Sequence, residues 1–260
     1  MSQVDAAADI LVLDRVTKRY GSLPAVDALS LRVHPRSRHA LIGPNGAGKS
    51  TLFQLVAGSL APSSGRILFD GTDITHLPEH RRARLGISRT YQQSSVFDGL
   101  TLAGNVRLAV HRHMGVGRSI VPRRAVAAEA AHRVHELLAM VGLGPWAGML
   151  AGHAAHGRRR QLEVALALAT EPSLLLMDEP TAGMSIEESA ALRELVSKVP
   201  DDLTVLIVEH DMDVVFSVAT RISVLAAGRL LADGSPEEIR GSAAVQEAYL
   251  GRVDGAAERS

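Results

Sequence analysis

The sequence predicts an α/β fold with a mostly parallel central sheet, an N-terminal part rich in antiparallel strands, and an inserted block of helices. Three observations carry this expectation. The apolar stretch His39-Ala40-Leu41-Ile42 runs into GPNGAGKST at residues 43–51 and then into an apolar-periodic segment at Leu52, Phe53, Leu55 and Val56, which reads as strand, tight turn and helix. Residues 174–177 and 203–208 are continuous apolar runs, as parallel strands buried on both faces require. Between residues 101 and 174 no strand pattern occurs, and Val126, Val134, Leu137, Leu138 and Val141 recur at close to 3.6-residue spacing.

In chain order, residues 10–16 (ILVLDRV) alternate apolar and polar and read as a strand, followed by a turn at 17–21 that carries Tyr20. Residues 29–33 and 38–42 give two further strands. After the first helix, the PSSG at 62–65 is a turn, 66–69 a strand, and Asp70-Gly71 a hairpin signal. Residues 78–85 read as a short helix whose Arg81, Arg82 and Arg84 are expected to form a solvated face, ahead of a strand at 86–90. Helix resumes after Thr101, with a first piece at 106–110, a basic glycine-containing loop at 111–121 and a longer helix at 123–141 that Gly142-Leu143-Gly144-Pro145 closes, Trp146 lying in the next turn. A helix beginning near 186 precedes the strand at 203–208, and 221–225 is a strand followed by a turn at 227–229. Ser235-Pro236-Glu237-Glu238 then starts a helix with serine as N-cap, proline at the first helical position and acids in the first turn.

The 260 residues suffice for one large domain with an insert and a sizeable core. Basic and acidic side chains balance at 28 each, so no global field argues for nucleic acid or anionic lipid. The absence of cysteine excludes disulfides and thiolate metal sites and fits a reducing compartment. MSQVDAAADI has neither a basic n-region nor a long apolar h-region, so no secretory signal is expected there. No apolar run approaches the roughly 20 residues that span a bilayer, so the chain is expected to be soluble. The histidines His111, His113, His132 and His135 lack metal-ligand spacing with a supporting acid, and no metal is expected on them.

Chemistry is expected at the ends of the apolar strands. Gly43, Gly46 and Gly48 allow a sharp turn and close approach of backbone to a ligand, so the N–H groups along Gly43, Asn45, Gly46, Ala47, Gly48 and Thr51 face phosphate oxygens beside the positive end of a helix. Lys49 adds a full charge for the β and γ phosphates, and the Ser50 hydroxyl is placed to ligate Mg²⁺. Tyr20, upstream of that loop, offers a face for a nucleotide base or is a half-buried strand-end residue. Asp178 and Glu179 end a buried strand, where ligands bind in open α/β sheets. Asp178 is placed to hold Mg²⁺ through water, and Glu179, projecting to the other side, to deprotonate an attacking water. His210 leaves the next apolar strand on the same edge, within reach of a γ-phosphate.

These pieces, in this order, resemble the ATP-binding subunit of an ABC transporter over essentially the whole chain. Tyr20 matches the adenine-stacking loop, GPNGAGKST the Walker A loop, Gln92 the Q-loop, LLLMDEP the Walker B strand, Ala182-Gly183-Met184-Ser185 the D-loop, and His210 the switch histidine. Six ordered matches are far more specific than one. The stretches LPEHRRARLGISRTYQ, HRHMGVGRSIVPRR, VEHDMDVV and GSPEEIRGSAAVQEAYLG look like the branched-chain amino acid subfamily. The resemblance implies a P-loop NTPase core and one ATPase domain over 8–250, with 8–92 and 172–250 as nucleotide-binding core with β subdomain, 93–171 as helical subdomain, and 251–260 as a flexible tail. It implies ATP and Mg²⁺ as ligands, with Ser50, Gln92 and Asp178 on the metal, and Glu179, His210 and Gln92 as catalytic residues. It implies a second homologous ATPase subunit, favoured as a heterodimer, two transmembrane permease subunits and, indirectly, an extracytoplasmic solute-binding protein, on the cytoplasmic face of a membrane. Urea and short amides are alternative cargoes, and a non-transport or regulatory ATPase is the alternative from another class.

One departure stands out. The signature loop of the family falls on Ala155, His156, Gly157 and Arg158, where alanine replaces the serine that meets the γ-phosphate across the subunit sandwich. Losing a hydrogen bond to a charged group costs roughly 1.5–3 kcal/mol, about ten- to a hundredfold in a rate if felt only in the transition state. Arg158 in place of glutamine offers a compensating charge. In the D-loop, Gly183 is retained and Ser185 stands where many relatives carry aspartate or asparagine. Two unequal ATP sites are therefore expected.

Overall fold

β1 (Leu11–Tyr20), β2 (Leu23–Val33), β4 (Ser64–Phe69) and β5 (Thr72–Asp73) form a four-stranded antiparallel sheet of order β2-β1-β4-β5. The structure is a computed structural model and describes residues 9–90, 96–115 and 124–250. The turn expected at 17–21 is instead strand as far as Tyr20. Arg15 at φ 47° and Ala28 at φ 46° mark bulges that shift the β1–β2 register, so the polar stretch Thr17-Lys18-Arg19 pairs although it does not alternate as a regular strand does.

The second sheet has six strands in the order β10-β9-β3-β8-β7-β6: β10 (Arg229–Gly234), β9 (Arg221–Ala226), β3 (Arg38–Ile42), β8 (Thr204–Val208), β7 (Leu174–Asp178) and β6 (Ile87–Arg89). All neighbours pair in parallel except β10, which runs antiparallel to β9. The continuous apolar runs are explained by what covers each face. Leu175, Met177, Val205 and Ile207 pack with the helical block and with α5 (His156–Leu168) and α6 (Ile186–Ser197), while Leu174, Leu176, Leu206 and Val208 pack with α1 (Lys49–Ala57) and the four-stranded sheet. Each such side chain contributes about 1.5–3 kcal/mol on full burial.

The helical block consists of α3 (Leu102–His113), α4 (Arg124–Met140) and α5. Thr101 caps α3 by accepting from the Gly104 N–H at 2.9 Å, and α3 runs on to His113, into the stretch expected to be loop. The last elements, α7 (Met212–Val218), α8 (Pro236–Arg240) and α9 (Ala243–Leu250), cover the outer face of β3 and β9 through Val215, Ile239 and Val245. The serine cap of α8 is present as a full capping box with Glu238.

α2 (Glu79–Arg84) departs from expectation. Arg81 and Arg84 are exposed, but Arg82 is 1% exposed and donates four hydrogen bonds to backbone carbonyls. Two of these carbonyls belong to Leu55 and Val56 in the last turn of α1, so the guanidinium supplies the cation that a helix C-terminus favours.

A second buried ionisable group sits in β3. His39 is fully buried, with Nε2 2.7 Å from Ser223 Oγ, whose hydroxyl donates to Asp233 Oδ1 at 2.7 Å. The ring is therefore neutral with its proton on Nε2, and burial holds its pKa down to about 4 against the ordinary 6.5. The unfolded chain takes up this proton as pH falls below about 6.5 and the native state refuses it until about pH 4, so stability falls across that window and levels out below it. Thermal unfolding at pH 7 and pH 4.5 checks this: His39→Gln is expected to lose less stability between the two pH values than the parent chain.

Candidate active site

The parallel register brings three strand ends level. Leu41 of β3 and Asp178 of β7 both pair with Val208 of β8, so Gly43, Glu179 and Glu209 all emerge at one edge of the sheet.

At the first strand end the chain turns through Gly43 (φ 149°), Gly46 (φ 79°) and Gly48 (φ 98°) into α1. Two of these glycines are demanded by packing: a Cβ at Gly43 would lie 2.2 Å from the Leu225 carbonyl oxygen, and one at Gly48 would lie 2.4 Å from that of Ala25. At Gly46 a Cβ would meet nothing within 4 Å, and only the left-handed backbone calls for glycine. The N-terminus of α1 has no side-chain cap and no acid in its first turn, so its amides are left for an anion. Lys49 is 7% exposed and holds its ammonium over the loop, donating to the Gly43 carbonyl at 2.6 Å and the Pro44 carbonyl at 3.1 Å. Burial lowers its pKa and the charge of Glu179 opposes that shift, which places the two groups in one electrostatic field. Ala47 is buried, Asn45 and Ser50 are exposed, and Thr51 is half-buried.

Asp178 ends β7 at 6% exposure, and its Oδ1 has no hydrogen-bond partner among the described residues. Burial raises its pKa, and the charge of Arg89, whose Nη2 is 3.7 Å from Oδ2, opposes that. A buried carboxylate oxygen without a donor beside a phosphate-binding loop suits a divalent cation. Glu179 is not the next residue of the strand. It takes φ 44° and ties its N–H to the Val208 carbonyl at 2.8 Å, so its direction is set by this left-handed step and not by strand alternation as expected. Its carboxylate Oε1 is 3.8 Å from Nδ1 of His210.

What holds that pair is Glu209, which sequence reasoning passed over. Its fully buried carboxylate accepts from the Thr181 N–H at 3.0 Å and the Thr181 hydroxyl with one oxygen, and from the His210 N–H at 3.0 Å with the other. One side chain thus links the turn after Glu179 to the backbone of His210. The sole signal for it was a charge directly after five buried strand residues.

The remaining residues singled out from sequence are spread around this edge. Tyr20 ends β1 at 53% exposure, paired with Leu23 of β2, the strand whose Ala25 packs against Gly48. Gln92 lies outside the described residues. Gly183 takes φ 74°, and Ser185 caps α6 in a capping box with Glu188. Ala155 is the N-cap of α5 and has no side-chain acceptor to offer, with exposed His156 and buried Gly157 following it. Arg158 does not project as a free charge: its guanidinium stacks on Trp146, 3.9 Å from the ring centroid.

The arrangement can seat a polyphosphate, hold a divalent cation at Asp178 and activate a water beside Glu179. The ABC transporter family matches the chain over residues 26–182, and the branched-chain amino acid ATP-binding cassette transporter family matches residues 229–255. The chain is 38% identical to BraF of Pseudomonas aeruginosa and 36% identical to LivG of Escherichia coli, both high-affinity branched-chain amino acid transport ATP-binding proteins. Each match covers 252 residues, 94% of this chain and 98% of the relative. Among solved structures, the ADP conformation of an ATP-binding cassette of an ABC transporter matches with a TM-score of 0.79 at 26% identity, covering 94% of this chain and 99% of that one.

Proposed function

This chain belongs to the ABC transporter family, with a C-terminal segment of the branched-chain amino acid type, and from that premise we propose that it is the ATP-hydrolysing subunit of an importer for branched-chain or related amino acids. The observation that carries the proposal is the convergence on one sheet edge of an uncapped, acid-free helix N-terminus with Lys49, the buried Asp178, and the Glu179–His210 pair. The triphosphate lies along residues 43–51, with Lys49 neutralising its charge, and Tyr20 stacks on the adenine. Ser50 and Asp178 would hold Mg²⁺, together with Gln92 from outside the described residues. When bound, the ion neutralises charge on the phosphate oxygens. Glu179 takes the proton of the attacking water, and His210, 3.8 Å away, orients at the γ-phosphate.

No helix among the described residues is long and apolar enough to cross a membrane. Membership of the transporter family supports coupling to transport through permease subunits. A groove of about 430 Å³ lined by Phe97, Leu108, Ala109 and Leu166, with Phe97 62% and Leu108 47% exposed, supports docking of a permease segment on the helical block, at the cytoplasmic face of the membrane. A second, homologous ATPase subunit completes the sandwich, and the two sites are unequal because this chain offers Ala155 in its signature loop. The test is steady-state ATP hydrolysis by the purified chain alone and with the second ATPase and the permeases. Activity is expected in the mixture, stimulated by a branched-chain amino acid with its receptor. Equal activity of the chain alone would remove the unequal-site reading, and stimulation by a different solute would reassign the cargo.

A further inference from the structure

The N-terminus of α5 is already occupied by an anion from the same chain. Glu188, at the third position of α6, accepts a hydrogen bond from the Gly157 N–H to Oε1 at 3.1 Å, while its Oε2 accepts from the Ser185 N–H at 3.1 Å. Its own N–H donates to Ser185 Oγ at 3.2 Å, so the carboxylate lies between the positive ends of two helices. The contact is close: a Cβ at Gly157 would lie 2.4 Å from Glu188 Oε1 and 2.7 Å from its carboxyl carbon, so a side chain there would displace the carboxylate.

The contact follows from Ala155. A serine at that N-cap would turn its hydroxyl to the amide of the second or third helical residue, Gly157 or Arg158. Alanine leaves those amides to another acceptor, and Glu188 reaches across from α6 to take one. The neighbouring cation is withdrawn as well, since Arg158 lies on Trp146. The face that this chain would turn to its partner's nucleotide therefore presents a seated carboxylate in place of a hydroxyl and free N–H groups.

We propose that Glu188 competes intramolecularly with the γ-phosphate of the nucleotide held by the partner ATPase subunit: its carboxylate sits on the anion seat of α5 and must give up the Gly157 amide before the sandwich closes. The proposal rests on the reading of this chain as one half of an ATPase sandwich. Release is feasible without loss of the fold, because Oε2 keeps its bond to the Ser185 amide and the α6 capping box survives when Oε1 swings away. A carboxylate and a phosphate drawn to one amide repel, and a charge-assisted hydrogen bond is lost on displacement, so removing the carboxylate favours closure.

The test is the dependence of turnover on MgATP concentration in the assembled transporter. Glu188→Gln keeps an acceptor near Gly157 but removes the charge, and is expected to lower KM for MgATP at least threefold, roughly the lower end of what one hydrogen bond contributes. Glu188→Ala vacates the seat and is expected to lower KM about tenfold, the equivalent of one charge-assisted hydrogen bond. A gain in apparent affinity is the decisive reading, because a merely structural lesion does not produce one, and it remains measurable even where Glu188→Ala lowers the melting temperature. KM unchanged or raised in both variants would overturn the proposal. Glu179→Gln in the same assembly separates the two readings. Turnover in Glu179→Gln equal to that of the parent assembly would overturn the role of this chain in hydrolysis yet leave the KM comparison standing, since the competition acts on the partner's nucleotide.

Discussion

Replacing Glu179 by glutamine is expected to lower ATP hydrolysis at this chain's own nucleotide site by about 10²- to 10⁴-fold, the usual contribution of a positioned general base, while nucleotide binding persists. The two effects separate because different elements carry them. On the proposed reading, binding rests on the amides at the start of α1 and on Lys49, which is anchored to the Gly43 and Pro44 carbonyls independently of Glu179. The base rests on a carboxylate whose backbone is fixed at φ 44° by its bond to Val208 and whose neighbour His210 is fixed through Glu209. Glutamine keeps the size of the side chain and loses the proton acceptor. It also removes the negative charge that opposes the burial-driven lowering of the Lys49 pKa, a secondary effect on affinity and not on chemistry. Phosphate release, measured beside equilibrium binding of a fluorescent ATP analogue, checks both halves. Retention of more than about a tenth of the activity in an assembly whose partner subunit has lost its own base would take the base role away from Glu179.

The parts of this architecture that were legible in the sequence are those whose cause is local. The apolar runs at 174–177 and 203–208 announce strands covered on both faces, because no other short element needs every side chain to be apolar. The glycine-rich turn into α1 announces itself because it joins an apolar strand to an apolar-periodic helix, although the carbonyls that force glycine at 43 and 48 belong to the distant Leu225 and Ala25. The serine-to-glutamate capping box at 185–188 has the same spacing as the serine N-cap and first-turn acids read at 235–238, and was there to be read as well. What was not legible depends on partners far along the chain. Nothing near Glu209 reveals that Thr181 will stand opposite it, and nothing near Glu188 reveals that its second task is an amide 31 residues away. Arg158 reads from sequence as a charge free to meet phosphate until Trp146 is found beneath it. Thr17-Lys18-Arg19 reads as a turn because a bulged strand breaks the alternation by which strands are recognised.

Arg82 is the strongest case of this kind, and its replacement by methionine is expected to cost about 3–5 kcal/mol of stability, because it leaves several carbonyls without a donor. Three arginines in EHRRAR have the same local surroundings, and only tertiary structure selects the middle one. Its Nε donates to the Leu77 carbonyl at 2.8 Å, Nη1 to Leu55 and Val56 at 2.7 and 2.8 Å, and Nη2 to Thr75 at 3.2 Å. Burial lowers its pKa to about 10, with the charge of Asp73 opposing, so the group stays protonated at neutral pH and its stabilisation does not titrate there. Methionine fills much of the volume but leaves four buried carbonyls without donors, each worth about 1–3 kcal/mol when isolated, a sum that relaxation of the α1–α2 junction reduces. Lysine restores the charge and up to three donors, though not the planar fork that reaches four carbonyls on two segments, and is expected to lose less. For a chain of this size the methionine variant should melt about 6–20 °C lower, at roughly 2–4 °C per kcal/mol. The loss is also expected to reach the nucleotide, because the carbonyls of Leu55 and Val56 end the same helix whose first residue is Lys49. Thermal unfolding with and without MgATP tests this chain of effects. A methionine variant within about 2 °C of the parent chain would show that water or backbone adjustment satisfies the carbonyls, and that Arg82 orders the junction without stabilising it.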